Sequence, residues 1–434
     1  MAKYFGTDGI RGKAFEKMNA SLAYRLGQAI ALELKPTVVV IGMDTRESSP
    51  MLAYSLANGL LALGVDIAFA GVVSTPMIAN YSKNHELIGI MVTASHNPYT
   101  DNGIKVFNKG YKTTEDVELK LESIMDSGLL HATTFGHLTY TNAVKEEYLK
   151  IYDQLDLKPL SLNIGFDSAN GANYLIAREI FNRINPQAIQ IGNTPDGLNI
   201  NRGCGSTDLE SILTLVRHKN LDIAFSFDGD GDRIILIGPD GDIYDGDMII
   251  YIIAKYLKSK QLLSHETVVL TKMSNPGILK ALSDHNIHYV LTDVGDKYVF
   301  DALDKGGFTI GGESSGHVIL THLLHSGDGL LVAIYLLKIL EELNMSLTDL
   351  VSDVQLYPYM LVNIKDVDKS VLTKASMIEF LNDIKAELGE HALLLVRPSG
   401  TESLIRVTIS HKDENLVKTL TDKIVQKIKT EAKL

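Results

Sequence analysis

Between the apolar runs "LDIAFSF" and "RIILIG", residues 228–233 read "DGDGDR". The glycines let the backbone turn tightly enough for Asp228, Asp230 and Asp232 to converge. Three hard oxygen ligands in so short a loop suit a divalent cation, and Mg2+ with a substrate phosphate as further ligand is the natural occupant. Without a cation the three carboxylates repel one another, which counts against a plain acidic turn. A calcium loop of the EF-hand type starting at Asp228 would need Gly at 233 and Glu at 239, where the chain has Arg233 and Pro239. A second cluster, "RPSGTES" at 397–403, sets Arg397 beside Ser399, Gly400 and Thr401, with Arg406 close by in "LIRV". A guanidinium, two hydroxyls and a glycine make a donor cradle for a phosphate dianion. Taken alone, these residue types leave a surface turn equally open.

"GGESSGH" at 311–317 matches two patterns that mislead. The G-x-S-x-G spacing around Ser314 belongs between a strand and a helix, whereas "HVILTHLLHSGDG" reads as strand and loop. The glycine spacing of a P-loop is also present, but His317 and Val318 stand where Lys and Ser/Thr would do the work. Neither a hydrolase nor an NTPase is supported. Glu313 and Ser315 can instead meet sugar hydroxyls, where a carboxylate accepts and a hydroxyl does both; a structural turn is the competing reading.

The fourth cluster is "TASHNPYTDNG" at 93–103. Ser95 would need a base to act as a nucleophile, and His96 is adjacent. Neighbours in an extended chain point to opposite faces, so a Ser95–His96 pair is not expected. A phosphate-carrying role for Ser95 fits better, given a metal loop and an anion cradle elsewhere in the chain. Near the start, "GTDGIRG" offers Arg11 in a glycine-flanked loop.

These clusters need elements to hold them. "TVVVIGM" (37–43) precedes the helical "SPMLAYSLANGLLALG", which ends at Gly64 as a C-cap would. The rhythm restarts at "LNIGFDSANGANYLIAREIF" (162–181) and at "ETVVLTKMSNPGILKALSD" (266–284). Strands alternating with helices of this length predict an α/β fold with mixed, mostly parallel sheets and helices on both faces. From about 355 onward the pattern changes to a small α+β unit. The predicted domains are 1–155, 156–255 and 256–362, all α/β, and 363–434, α+β.

The bulk properties bound the rest. The chain has 434 residues, with 45% hydrophobic and 22% charged side chains, the balance of a globular protein of several domains. A net charge of −12 argues against sequence-independent nucleic-acid binding. The single cysteine, Cys204, excludes an intramolecular disulfide and a cysteine-based zinc site. "MAKYFGTDGIRG" has no apolar targeting core, and "LLVAIYLL" (330–337) is too short to span a bilayer. A cytoplasmic protein without membrane or nucleic-acid partners is expected, as a monomer or homodimer.

"TASHNP", "DGDGDR", "GESSG" and "RPSGTE", in that order, resemble the α-D-phosphohexomutase superfamily, one motif per domain. The resemblance covers the whole chain, the four motifs are specific jointly rather than singly, and it implies four domains around a central cleft, the first three of related α/β topology. It implies that Ser95 is the phosphoserine of the active enzyme and shares the Mg2+ shell with Asp228, Asp230 and Asp232. Glu313 and Ser315 match the sugar-binding loop, and Arg397, Ser399, Gly400 and Thr401 match the loop gripping the other phosphate. Arg11, His96 and Lys105 of "NGIK" match active-site positions, with Lys105 as base or phosphate ligand; a Lys at a strand edge is also an ordinary solubility device. The implied substrate is a phosphosugar, with a sugar 1,6-bisphosphate as intermediate and activator.

"KYFGTDGIRG", "DSANGA", "PDGLNINRGCGST" and "VGDKYV" resemble the phosphoglucosamine-mutase branch most closely. Lys297, Ser314 and Ser403 depart from that branch's common residues. A phosphomannomutase or phosphoglucomutase with the same mechanism, or a non-catalytic binding protein on the same scaffold, are the alternatives at this point.

Overall fold

The computed structural model describes residues 3–6, 8–128, 134–155, 157–389, 391–398 and 404–432. Four sheets follow one another along the chain. The first is built on the parallel strands Val38–Met43, Asp66–Val72 and Ile88–Val92. Their apolar runs are buried because helices cover both faces, as parallel sheets require. Asp101–Asn108 then turns back antiparallel to Ile88–Val92, and Gly9–Lys13 adds beyond it.

The second sheet repeats this plan. Ile164–Asp167 lies between Ile189–Ile191 and Ile223–Phe227, all parallel, and Ile234–Ile237 returns antiparallel. So does the third, with Thr267–Thr271 between His288–Thr292 and Ile310–Gly312, and Val318–Leu320 returning. Each unit therefore has the strand order 2-1-3-4, with the fourth strand reversed. The parallel pairs form the centre of each sheet, and the antiparallel pairs sit to one side. The connection from the third strand to the fourth carries "TASHNPYT", "DGDGDR" or "ESSGH". Three of the four motif loops thus occupy one topological place.

The fourth unit is a small antiparallel sheet, in the order Tyr359–Lys365, Leu404–Ser410, Leu393–Pro398, backed by helices Ala375–Leu388 and Glu414–Glu431. It has a core of its own. One continuous apolar core instead joins the second and third units and reaches the first through Met77 and Ile78. Its centre is made by helices Gly246–Ser259 and Gly329–Leu343, buried over most of their residues. Helix Gly246–Ser259 contains the boundary read at 255/256, and it packs on the hairpin that carries Glu313: a Cβ at Gly246 would stand 2.0 Å from the Glu313 carbonyl oxygen. Among the described residues no helix is long and apolar enough to cross a membrane.

Candidate active site

Ser95 is buried, and its backbone is left-handed, with φ of 52°. Its Oγ donates to Asp228 Oδ2 at 2.5 Å, so the first and second units meet at this hydroxyl. The left-handed turn also corrects the expectation for His96. The chain here is not extended, and His96 Nδ1 comes within 3.4 Å of Ser95 Oγ. Burial, then the Arg233 and Arg11 guanidiniums, push the His96 pKa down to about 4, so its ring is neutral near pH 7.

The acidic loop gathers as its spacing predicted. Asp228, Asp230 and Asp232 are buried, and each offers an oxygen within 4.8 Å of the others. Among the described residues, Asp230 Oδ1 and Asp232 Oδ1 are buried without a protein hydrogen-bond partner. Orphaned carboxylate oxygens at this depth fit a metal cation. Burial, reinforced by the Asp232 and Asp230 charges, raises the Asp228 pKa well above the carboxylate range, a cost that a bound cation removes. Asp228 Oδ1 is already used by the backbone amides of Gly231 and Arg233, both 3.1 Å away. Thr75 Oγ1 donates to Asp230 Oδ2 at 2.6 Å.

Lys105 does not decorate an edge. Its strand lies between Ile88–Val92 and Gly9–Lys13, and its Nζ is 2.8 Å from Asp230, 3.1 Å from Asp232 and 3.2 Å from Asp8. Burial opposes its charge, but Asp230, Asp232 and Asp8 outweigh that and raise its pKa well above the usual lysine value. Arg11 pairs with Asp8, and Lys112 bridges Asp8 to Asp296. His317 closes the circuit, with its two ring nitrogens 3.8 Å from Asp296 and from Asp232. Asp232, Lys105, Asp8, Lys112 and Asp296 thus alternate in charge through three units, and the His317 ring lies between the two ends. Beside them a cavity of about 340 Å³ is lined by Asp8, Lys105, Lys112, Asp296 and Lys297.

Glu313 accepts from the Gly295 amide at 3.0 Å, which ties the "ESSGH" hairpin to "VGDKYV". Ser315 is exposed and lines a cleft of about 610 Å³ with Tyr359, Leu361, Leu393 and Thr408 of the C-terminal sheet. The loop is a hairpin between two antiparallel strands, which agrees with the rejection of a nucleophile elbow. Arg397 and Arg406 are directly opposed across neighbouring strands. By alternation they share the sheet face of Leu395 and Thr408, the face that fronts this cleft. Ser399, Gly400 and Thr401 lie outside the described residues.

The described geometry therefore joins Ser95, His96, Lys105, Arg11 and the three aspartates, ties Glu313 to Gly295, sets Ser315 across the cleft from the C-terminal sheet, and leaves the arginine pair on that sheet. Sequence reasoning passed over Asp8, Arg46, Lys112, Asn201 and His317. Asp44 and Arg46 carried one usable signal: charged residues directly after the buried strand "VVVIGM" stand where open α/β sheets bind ligands.

Residues 2–131, 139–241 and 245–357 match the alpha/beta/alpha domains I, II and III of phosphoglucomutase/phosphomannomutase, and residues 361–427 match its C-terminal domain. A protein of Leuconostoc citreum named phosphoglucosamine mutase is 40% identical over 99% of this chain and 98% of its own. One of the same name from Bacillus licheniformis is 39% identical over 99% of both. Among solved structures, a phosphoglucomutase/phosphomannomutase family protein of Burkholderia thailandensis superposes with a TM-score of 0.82 at 22% identity, covering 98% of this chain and 97% of that one. An Aspergillus fumigatus N-acetylphosphoglucosamine mutase, in complex with GlcNAc-6P and magnesium, gives 0.70 at 15% identity, covering 100% and 96%. Aligned over its full length in four successive domains, the chain belongs to the phosphoglucomutase/phosphomannomutase family.

Proposed function

We propose that this protein is a phosphoglucosamine mutase, interconverting glucosamine 6-phosphate and glucosamine 1-phosphate through a phosphorylated Ser95. The observation that carries the reading is Ser95 Oγ lying 2.5 Å from Asp228 of the buried aspartate triad, in a chain whose full-length relatives bear that name. The products would feed UDP-N-acetylglucosamine synthesis in the cytoplasm.

In the forward half-reaction the sugar O1 bonds to the phosphorus on Ser95, the P–Oγ bond breaks, and the O1 proton is released. The sugar becomes a 1,6-bisphosphate, which turns end for end. Ser95 Oγ then bonds to the phosphorus at the sugar 6-position, the bond to O6 breaks, and O6 takes a proton. Asp228, Asp230 and Asp232 would hold Mg2+ together with the Ser95 phosphate, supplying charge neutralisation for the transferring phosphoryl group. Lys105, kept protonated by its carboxylate neighbours, serves as a cation facing that group rather than as a base. When Ser95 carries no phosphate, its Oγ donates a hydrogen bond to Asp228 Oδ2. His96, neutral and beside Oγ, orients the hydroxyl. Glu313 and Ser315 hold sugar hydroxyls, while Arg397 and Arg406, with Ser399, Gly400 and Thr401, grip the phosphate not being transferred. A separate core suits the C-terminal unit to close over the bisphosphate and keep water from the phosphoserine.

The test is turnover with Mg2+ and a trace of glucose 1,6-bisphosphate, comparing glucosamine 6-phosphate, glucose 1-phosphate and mannose 1-phosphate. A clear kcat/KM preference for the amino sugar is expected. A preference for glucose or mannose phosphate would keep the mechanism and overturn the substrate.

A further inference from the structure

We infer that Arg46 and Asn201 are positioning residues that clamp the Ser95 loop from two domains. Arg46, at the end of strand Val38–Met43, has a side chain with no exposure, and its Nε pairs with Asp44 at 2.8 Å. Its Nη2 donates to the carbonyls of Ser95 and Asn97, each at 2.9 Å. Its Nη1 donates to those of Pro98, at 2.5 Å, and Asp101, at 2.9 Å. The planar fork is fully committed to one loop, a task for which lysine has no equivalent.

The second jaw comes from the neighbouring unit. Asn201 Nδ2 donates to the same two carbonyls, Ser95 at 2.8 Å and Asn97 at 3.1 Å. Two acceptors fix which way this amide faces, since the oxygen would repel both. Asn201 is itself held, with its amide donating to Ala169 O at 2.9 Å. Asp167 accepts from the amides of Ala169 at 2.8 Å and Gly205 at 2.7 Å. Across the domain boundary, Thr45 Oγ1 donates to Asn170 O at 2.6 Å, and Glu47 N to Gly197 O at 3.0 Å. The stretches "DSANGA" and "PDGLNINRGCGST", which carry no reacting group, thus frame a jaw.

Both jaws close on the carbonyl of Ser95, whose left-handed backbone aims Oγ at Asp228. The metal loop leaves room for this carbonyl: a Cβ at Gly229 would stand 2.6 Å from Ser95 O and 2.8 Å from Asn201 Nδ2. With one jaw in each domain, the Ser95 loop is fixed against the aspartates only while the two domains stay docked.

The inference rests on Ser95 carrying the phosphoryl group, and the test separates the two claims. Asn201→Asp keeps the shape but removes both donors. Its kcat, and its rate of Ser95 phosphorylation by glucose 1,6-bisphosphate followed by mass spectrometry, should fall ~10- to 100-fold with KM within about twofold. Amide exchange over residues 95–101 should quicken. Asn199→Asp is the matched control, because among the described residues the Asn199 side chain hydrogen-bonds only to Asp196 and Thr194 of its own loop; it should leave kcat unchanged. Arg46→Lys, which keeps the charge beside Asp44 but loses the fork, should reproduce the loss and serves if Asn201→Asp does not fold. Wild-type kcat and exchange in Asn201→Asp or Arg46→Lys, or an equal loss in Asn199→Asp, would overturn the clamp. Wild-type protein that takes no phosphate on Ser95 would strike the phosphoserine reading, and the exchange comparison would still decide the clamp.

Discussion

At the scale of single residues the site is a contest between charges that burial disfavours. Three buried aspartates tolerate one another only with cations nearby, and Lys105 supplies one from the protein itself. Ser95→Ala should abolish mutase turnover while circular dichroism and melting stay those of the wild type. Asp230→Asn removes a triad oxygen and a partner of Lys105; calorimetric titration should find Mg2+ at least ~10-fold weaker, with turnover lost alongside. Gly229→Ala is expected to lower kcat ~10-fold or more, because its methyl group would push on the Ser95 carbonyl at 2.6 Å. Steady-state kinetics at saturating substrate would read that shift.

At the scale of elements, three units place their working loops between a parallel third strand and a reversed fourth. Such a connection is short, and it leaves the sheet beyond the carboxyl end of the third strand, where side chains of neighbouring units can meet. The hairpin of the first unit also docks on the third: His325 Nε2 lies 2.8 Å from Gly110 O, and its ring packs against Tyr111 and Phe300. Burial, then Lys83, push the His325 pKa down to about 4. A free histidine titrates near 6.5, so between about pH 6.5 and 4 the unfolded chain binds a proton that the folded chain refuses. Stability should therefore fall as pH falls through that window, by about 3 kcal/mol at most from this residue. His325→Gln should flatten the slope of the urea midpoint against pH across the same range.

At the scale of the whole molecule, the circuit of ionisable groups through Asp8, Lys112, Asp296 and His317 links the aspartate loop to the third unit. Lys112→Met would remove the cation that bridges Asp8 and Asp296, leaving Asp8 to Arg11 and Lys105 and Asp296 without its lysine. A loss of about 2–4 kcal/mol is expected, measured as a lower urea midpoint. The C-terminal unit shares neither this circuit nor the large core, and its sheet meets the others across the cleft beside Ser315.

The sequence by itself determined the order of elements, the four motif loops and the chemistry each loop offers, because apolar periodicity and residue type are local properties. Asp228, Asp230 and Asp232 were legible in this way, since two-residue spacing with glycines is enough to bring them together. Tertiary structure decided the contacts made by residues distant along the chain. Asp8, Lys112 and Asp296 meet only when two domains close on each other, and Asn201 reaches Ser95 from more than a hundred positions away. His96 shows the same limit at short range: its approach to Ser95 depends on a left-handed φ that no pattern of residue types announces, and that is held in place by Arg46 and Asn201.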